Sequence, residues 1–231
     1  MKHKELIDFL ASDNESIRSQ LIDLDNDSSS ILGVDLFVAF KTKFKRKGYF
    51  VEFGASDGVN LSNTYTLEKN LEWNGLLVEP AKVFHDALKS NRKCNIDFSC
   101  IGPTTGQKVY FMEEDFEHRH YSHVFGYPGS KSFNYADKYV LETVSLDDIL
   151  DRYNAPSIID FVSIDTKGGE LEILEGFDFS KRQVNIFCID WSYTHSKNGI
   201  VIRNIKDLLT KHGYKHIDVL GNHEAWFVYG V

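Results

Sequence analysis

The chain has 231 residues, of which 42% are hydrophobic, and a formal net charge of −8. This length and composition suit one domain with one substantial core, and no apolar run approaches the roughly 18 residues that a membrane-spanning helix needs. The negative net charge argues against DNA or RNA as the main partner, because phosphate binding relies on clustered Lys and Arg. The one short basic run, at 41–47, is typical of a solvated helix face.

The chain begins with a lead segment, residues 1–30. Apolar spacing predicts two short amphipathic helices there, at 4–10 and 16–24, which could pair two copies of the chain in a homodimer. Glu5 and Asp8 interrupt the apolar stretch that a signal peptide would need. The three cysteines form no C-x-x-C pair, so we expect reduced cysteines and a cytoplasmic protein.

Residues 31–231 alternate predicted strands and helices and form the main domain. The predicted strands lie at 49–53, 76–79, 95–100, 108–112, 158–164, 184–189, 214–219 and 225–229. The predicted helices lie at 60–70, 81–90, 145–152, 169–175 and 200–212. This alternation indicates an α/β fold with a mainly parallel sheet covered on both faces. A turn at 221–223 joins the last two strands into an antiparallel hairpin.

The strand at 49–53 is followed by a loop that glycine opens and closes. Gly54 lets a ligand approach bare backbone N–H groups at the carboxyl edge of the sheet, and a side chain there would occupy the ligand's place. The dinucleotide fingerprint G-x-G-x-x-G fails, because Ser56 and Val59 stand at its third and sixth positions. Glu52 would repel a pyrophosphate, so the loop favours a ligand with a cationic amino-acid end, such as S-adenosylmethionine (SAM).

The next apolar run ends at Glu79, about 20 residues after Gly58. This is the offset at which an acidic residue binds the ribose of a nucleotide. Its carboxylate can accept hydrogen bonds from both ribose hydroxyls, and Pro80 ends the strand. The alternative is an ordinary strand–helix–strand unit whose Glu79 faces solvent.

These two blocks belong to a wider pattern. It comprises Phe-Val-Glu-Phe-Gly-Ala-Ser-Asp-Gly at 50–58, Ser-Asn-Thr at 62–64 and Trp-Asn-Gly-Leu-Leu-Val-Glu-Pro at 73–80, and it continues through 143–148, 160–166 and 168–174. In these residues the chain resembles the FkbM-type SAM-dependent methyltransferases over roughly residues 30–230. The resemblance implies a Rossmann-like fold with a seven-stranded sheet, SAM as methyl donor, and O-methylation, often of a sugar hydroxyl.

The chain departs from the family's pattern on the presumed reaction side. Lys167 stands in Asp165-Thr-Lys-Gly where relatives have Asp-x-Glu-Gly, and Asp190-Trp-Ser stands where many relatives have Glu-His-Asn. Upstream, the Ser-Gln-x-Gly-Glu-Asp element is present only in part, from Ser30 to Asp35. A SAM-binding protein that does not catalyse methyl transfer, or that has a regulatory role, is therefore the main alternative to an enzyme.

Four carboxylates end predicted strands and should converge on one edge of the sheet: Glu52, Glu79, Asp165 and Asp190. Adenine packs after the third strand in such folds, which assigns it to Cys100 and Ile101. The residues expected to bind the cofactor are Glu52, Gly54, Ala55, Ser56, Asp57, Gly58, Ser62, Asn63, Glu79, Pro80, Cys100 and Ile101.

Methyl transfer to a sugar hydroxyl needs a group that stabilises the developing alkoxide. Asp165 and Asp190 can flank that hydroxyl as a base or as ligands of a shared Mg²⁺, with His195 as a reserve base. Lys167 would orient the acceptor or offset negative charge, and it would repel a metal, so we assign no metal ligand. The alternative for Asp165 is a carboxylate that caps a helix or contacts the cofactor. The alternative for His195 is a loop histidine that takes no part in catalysis.

The segment 113–128 is aromatic and rich in histidine. We expect this segment to be a substrate loop over the carboxyl edge of the sheet, because aromatic faces stack on sugar rings. The alternatives are a metal site formed by its histidines and a disordered connection between core elements. The predicted acceptor is a sugar, a nucleotide sugar or a polysaccharide precursor. An acidic, aromatic rim suits a neutral or cationic acceptor better than a polyanion.

Overall fold

The computed structural model describes residues 2–127, 135–191, 199–218 and 224–230. The α-helices in these ranges are Lys4–Ala11 (α1), Glu15–Asp25 (α2), Val34–Lys41 (α3), Tyr65–Leu71 (α4), His85–Asn91 (α5), Leu146–Arg152 (α6), Glu170–Glu175 (α7) and Ile200–Lys211 (α8). The strands are Tyr49–Phe53 (β1), Asn74–Val78 (β2), Asn95–Asp97 (β3), Cys100–Ile101 (β4), Lys108–Glu114 (β5), His123–Val124 (β6), Tyr135–Val144 (β7), Ile158–Ile164 (β8), Gln183–Asp190 (β9), Tyr214–Ile217 (β10) and Glu224–Tyr229 (β11). None of the helices in these ranges is long and apolar enough to cross a membrane.

The main sheet has seven strands in the order β10-β11-β9-β8-β1-β2-β3. The five strands from β9 to β3 are parallel, and β11 is antiparallel to both β9 and β10. This confirms the predicted α/β fold, with its mainly parallel seven-stranded sheet and final antiparallel hairpin. The turn predicted at 221–223 lies outside the described residues.

Helices cover both faces of this sheet, as its apolar strands require. On one face, alternate residues such as Val51, Leu76 and Val162 pack against α6, α7 and α8. On the other face, Phe50, Leu77 and Phe161 pack with α3, α4 and the two lead helices. The apolar faces of α1 and α2 are thus covered by the chain's own core; the homodimer and the domain boundary at residue 30 remain predictions.

A second, smaller sheet is inserted between β3 and β8. Its order is β4-β7-β5-β6, and its long strands β5 and β7 pair antiparallel. The predicted strand 95–100 is divided in two, because Asn95–Asp97 pairs with β2 while Cys100–Ile101 pairs with β7. The sequence analysis missed β7 and α3 entirely.

Candidate functional site

A cleft of about 800 Å³ opens at the carboxyl edge of the main sheet. Its walls come from the loop after β1, the end of β2, the start of the inserted sheet and the loop after β8, together with the segment that follows β5. Its lining residues include Gly54, Ala55, Ser56, Ser62, Glu79, Pro80, Phe84, Cys100, Ile101, Phe111, Arg119, His120, Val124, Tyr127, Asp165, Thr166 and Lys167. This is the edge at which open parallel sheets bind ligands.

Most of the predicted cofactor residues line this cleft, and Glu52, Asp57, Gly58 and Asn63 do not. Glu52 is buried and holds the loop instead. One of its oxygens accepts from the Asn63 backbone N–H at 2.7 Å, and the other accepts from the hydroxyls of Ser62 at 2.9 Å and Thr64 at 2.5 Å. Because both of its oxygens accept hydrogen bonds from residues 62–64, Glu52 fixes the conformation of the loop after β1 and does not face the cleft.

Two further predicted residues also act within the loop. Asp57 Oδ1 accepts from the backbone N–H groups of Val59 and Asn60 at 2.9 and 2.8 Å, which closes a tight turn. The Gly58 carbonyl accepts from the buried Arg92 guanidinium at 2.9 Å. These contacts keep residues 54–64 non-helical, so the helix predicted from residue 60 begins only at Tyr65.

Gly54 is required for a reason that the sequence did not indicate. Its φ is +78°, in the left-handed region, and a Cβ built on it would overlap the backbone carbonyl oxygen of Asp165. The glycine therefore allows the loop after β1 and the loop after β8 to touch, rather than only leaving room for a ligand. This contact brings the loop that carries Ser56 next to the loop that carries Asp165 and Lys167, and both loops line the cleft.

The Gly54→Ala variant should lose about 3 kcal/mol or more of unfolding free energy, because it adds a backbone overlap to the strain of a positive φ. Gly106 is a matched control, since its φ is +86° and a Cβ there would have nothing within 4 Å. Gly106→Ala should lose only about 1–2 kcal/mol from backbone strain. Chemical denaturation measures both losses, and equal losses would show that the two loops are not in tight contact.

Glu79, at the end of β2, is buried and lines the cleft. Its two oxygens accept from the backbone N–H groups of Ser56 and Ala81, each at 2.8 Å. Burial raises the pKa of Glu79 to about 7, and the two N–H groups oppose that shift. A carboxylate offers about four acceptor positions, so two remain for a ribose diol.

The wall next to Glu79 is apolar and suits a flat aromatic base. Cys100 and Ile101 line it as predicted, and Phe111 and Val124 of the inserted sheet join them. Together with the backbone of Gly54 to Ser56, these residues form one continuous wall of the cleft. The contributions of Phe111 and Val124 were not predicted, because they depend on the pairing of β5 with β6.

Asp165 and Asp190 end the neighbouring strands β8 and β9, and the structure brings them together around Lys167. The Lys167 ammonium donates to Asp165 at 2.5 Å and to Asp190 at 3.4 Å. The pKa of Asp165 is raised well above its usual value by burial first and by the Asp190 carboxylate second, while Lys167 opposes the shift. His195 lies outside the described residues.

The cation between these carboxylates is the lysine. Within residues 2–127, 135–191, 199–218 and 224–230, no group of three or more Asp, Glu, His or Cys residues is arranged to hold a metal ion. A further buried acid, Glu170, fixes the Lys167 loop by accepting from the backbone N–H groups of Thr166 and Gly168 at 2.9 and 3.1 Å. The sequence analysis did not assign a role to Glu170.

Part of the segment 113–128 lines the cleft, and its role as a substrate loop remains a prediction. His120 and Arg119 line the cleft wall, and His120 Nδ1 is 3.3 Å from the Ser56 hydroxyl. The neighbouring histidines have other partners: His118 contacts Asp115 at 2.8 Å and His123 contacts the Tyr121 carbonyl at 2.9 Å. The three histidines therefore do not share a centre.

Comparison with known proteins agrees with this geometry. The family model described as the FkbM methyltransferase domain matches residues 52–216. No curated protein matches the chain.

Among solved structures, a precorrin-6y C5,15-methyltransferase from Geobacter metallireducens GS-15 is similar at 10% identity, with 88% of this chain and 92% of that chain covered and a TM-score of 0.46. A methyltransferase from Pyrococcus furiosus is similar at 13% identity, with 84% and 81% covered and a TM-score of 0.41.

Proposed function

This chain belongs to the FkbM methyltransferase family and is a SAM-dependent methyltransferase, and we propose that it methylates a hydroxyl of a sugar, a nucleotide sugar or a polysaccharide precursor. The observation that carries the proposal is that Asp165 and Lys167 line the same cleft as Glu79, and that the Lys167 ammonium contacts both Asp165 and Asp190. A hydroxyl needs help to lose its proton, and this group can both accept a proton and stabilise charge.

Bound SAM supplies an electrophilic methyl group on its sulfonium. Glu79 would hold the ribose through its two remaining acceptor positions, and the backbone of Gly54 to Ser56 would face the amino-acid end. Cys100 and Ile101 would pack against adenine. The cleft wall formed by the inserted sheet would exclude water from the reacting atoms and hold the acceptor in line with the methyl group.

Asp165 would accept the proton of the acceptor hydroxyl. Burial raises its pKa, which makes it a stronger proton acceptor than an exposed aspartate. Lys167 would stabilise the negative charge that develops on the acceptor oxygen, and Asp190 would position Lys167. In this arrangement the lysine provides the positive charge between the two carboxylates.

Incubation of the protein with SAM labelled in its methyl group and a panel of sugars, sugar phosphates and nucleotide sugars tests this function. We expect labelled O-methyl ethers that are stable to mild base, which separates them from methyl esters. Transfer exclusively to protein or nucleic acid would contradict the proposal.

A protein that binds SAM without transferring its methyl group is the second candidate. The observation that favours it is the lysine itself, because an ammonium that bridges Asp165 and Asp190 weakens both as proton acceptors. Mass spectrometry of the purified protein distinguishes the two candidates. Bound demethylated product favours turnover, whereas SAM that stays intact with every acceptor favours the second candidate.

The affinity for SAM should depend on pH through Glu79. Below its pKa of about 7 this carboxyl is protonated, and a protonated carboxyl has fewer acceptor positions and no charge. Affinity is therefore complete above this pKa and falls as the pH falls through it. We expect SAM to bind roughly tenfold more weakly at pH 6 than at pH 8.

Calorimetry at the two pH values measures this dependence. The Glu79→Gln variant is the control, since it keeps the shape of the side chain and removes its titration. Its affinity should be low and similar at both pH values. A wild-type affinity that is equal at pH 6 and pH 8 would show that Glu79 does not change its charge near neutral pH when SAM binds.

A further inference from the structure

Arg119 is a cation on the wall of the cleft, and its side chain has no acidic partner among the residues that the structure describes. It lies in a short 3₁₀ helix, Arg119–Tyr121, between β5 and β6, and it lines the cleft next to His120. No ion pair or side-chain hydrogen bond of its guanidinium occurs with any residue that the structure describes.

The other charged groups of the cleft already have partners. Lys167 lies between Asp165 and Asp190, and Glu79 accepts two backbone hydrogen bonds. Arg119 is therefore the cation of the cleft that no carboxylate of the described residues contacts directly. It also acts on its neighbour, because the pKa of His120 is lowered by burial first and by the Arg119 charge second.

Aromatic rings hold the guanidinium in place. Its central carbon is 5.4 Å from the centre of the Phe84 ring, which also lines the cleft, and 4.6 Å from the exposed Phe116 ring. Stacking on ring faces restrains the planar group but leaves its N–H donors at the edge available. Five donors in a fixed fork match the oxygens of a carboxylate or a phosphate.

We propose that Arg119 binds an anionic substituent, a phosphate or a carboxylate, on the acceptor. This inference rests on the proposed function and specifies its substrate class: sugar phosphates, nucleotide sugars or uronic acids rather than neutral sugars. It reverses the sequence-based expectation of a neutral or cationic acceptor, which followed from an acidic, aromatic rim. The wall of the cleft also carries two cations, Arg119 and Lys167, and Arg119 is the one without a carboxylate partner among the described residues.

SAM itself carries a carboxylate, so the experiment must separate the cofactor from the acceptor. Titration calorimetry of the full chain loaded with S-adenosylhomocysteine would use four ligands: glucose, glucose 1-phosphate, glucuronate and UDP-glucose. The variants are Arg119→Met, Arg119→Lys and the control Lys138→Met. Lys138 also stacks on rings of the inserted sheet, at 4.4 Å from Tyr110 and 5.1 Å from Phe125, but it does not line the cleft.

We expect at least one anionic ligand to bind the wild type tenfold or more tightly than glucose, and its identity separates phosphate from carboxylate. Arg119→Met should remove this preference, Arg119→Lys should restore part of it, and Lys138→Met should keep all of it. The dissociation constant for SAM should stay within about twofold of wild type in all three variants.

Four binding results would overturn the inference: no binding of any anionic ligand, equal binding of glucose, an intact preference in Arg119→Met, or a weakened SAM affinity in that variant. The last would assign Arg119 to the cofactor's carboxylate. Methyl transfer to neutral and anionic acceptors alike would refute the inference and leave the proposed function standing. Arg119-dependent anion binding without transfer to any acceptor would refute the proposed function instead.

Discussion

The Asp165→Asn variant is expected to lower kcat by about 100-fold or more while leaving the dissociation constant for SAM close to that of the wild type. Asparagine keeps the shape of the side chain, but its amide cannot accept the proton of the acceptor hydroxyl, and general-base catalysis typically contributes about 10²–10⁴-fold. The variant also removes the 2.5 Å ion pair with Lys167. Steady-state transfer of a labelled methyl group gives kcat, and calorimetry gives the SAM affinity.

Asp190→Asn provides the companion measurement, because Asp190 contacts the same ammonium at 3.4 Å. We expect a loss of similar size if Asp190 positions Lys167. Turnover by the wild type should be insensitive to EDTA, since Lys167 lies where a shared metal would bridge the two carboxylates. Full activity in both variants would contradict the carboxylate mechanism and make His195→Ala the next variant to measure.

The strand ends could be predicted because the carboxyl ends of parallel strands meet at one edge whatever their separation in the chain. Glu79 and Asp165 were found in this way, and both line the cleft. Glu52 also lies near the end of a predicted strand, but it does not line the cleft. The direction of its side chain depends on the alternation of side chains along β1. The pattern locates the end of a strand; which way the last side chains point depends on the neighbours, here Ser62 to Thr64.

Two elements were missed for physical reasons that are visible in their sequences. The helix Val34–Lys41 is buried almost all round, from Val34 to Ala39, so its apolar residues show no helical period. The strand Tyr135–Val144 is exposed along most of its length, so no buried run marks it. Arg119 and His120 could be assigned only to a substrate loop, because their place on the cleft wall follows from how β5, β6 and β7 pair.

The Glu79→Ala variant is expected to bind SAM about 30- to 1,000-fold more weakly than the wild type, a loss of roughly 2–4 kcal/mol. The change removes the charged acceptor of two ribose hydroxyls. It also leaves the backbone N–H groups of Ser56 and Ala81 without their 2.8 Å partner in a nearly buried site. Calorimetry with SAM measures the loss, and thermal unfolding shows whether the variant is folded.

Glu113→Ala is the matched control for this change. Like Glu79, Glu113 accepts from a backbone N–H group, that of Lys82 at 2.7 Å, and it also accepts from the Tyr139 hydroxyl at 2.7 Å, but it does not line the cleft. Its removal should leave SAM affinity within about threefold of wild type. Equal losses in the two variants would mean that Glu79 acts by supporting the loops after β1 and β2. Unchanged affinity in Glu79→Ala would mean that the ribose lies elsewhere, and the assignment of the whole cofactor site would fail with it.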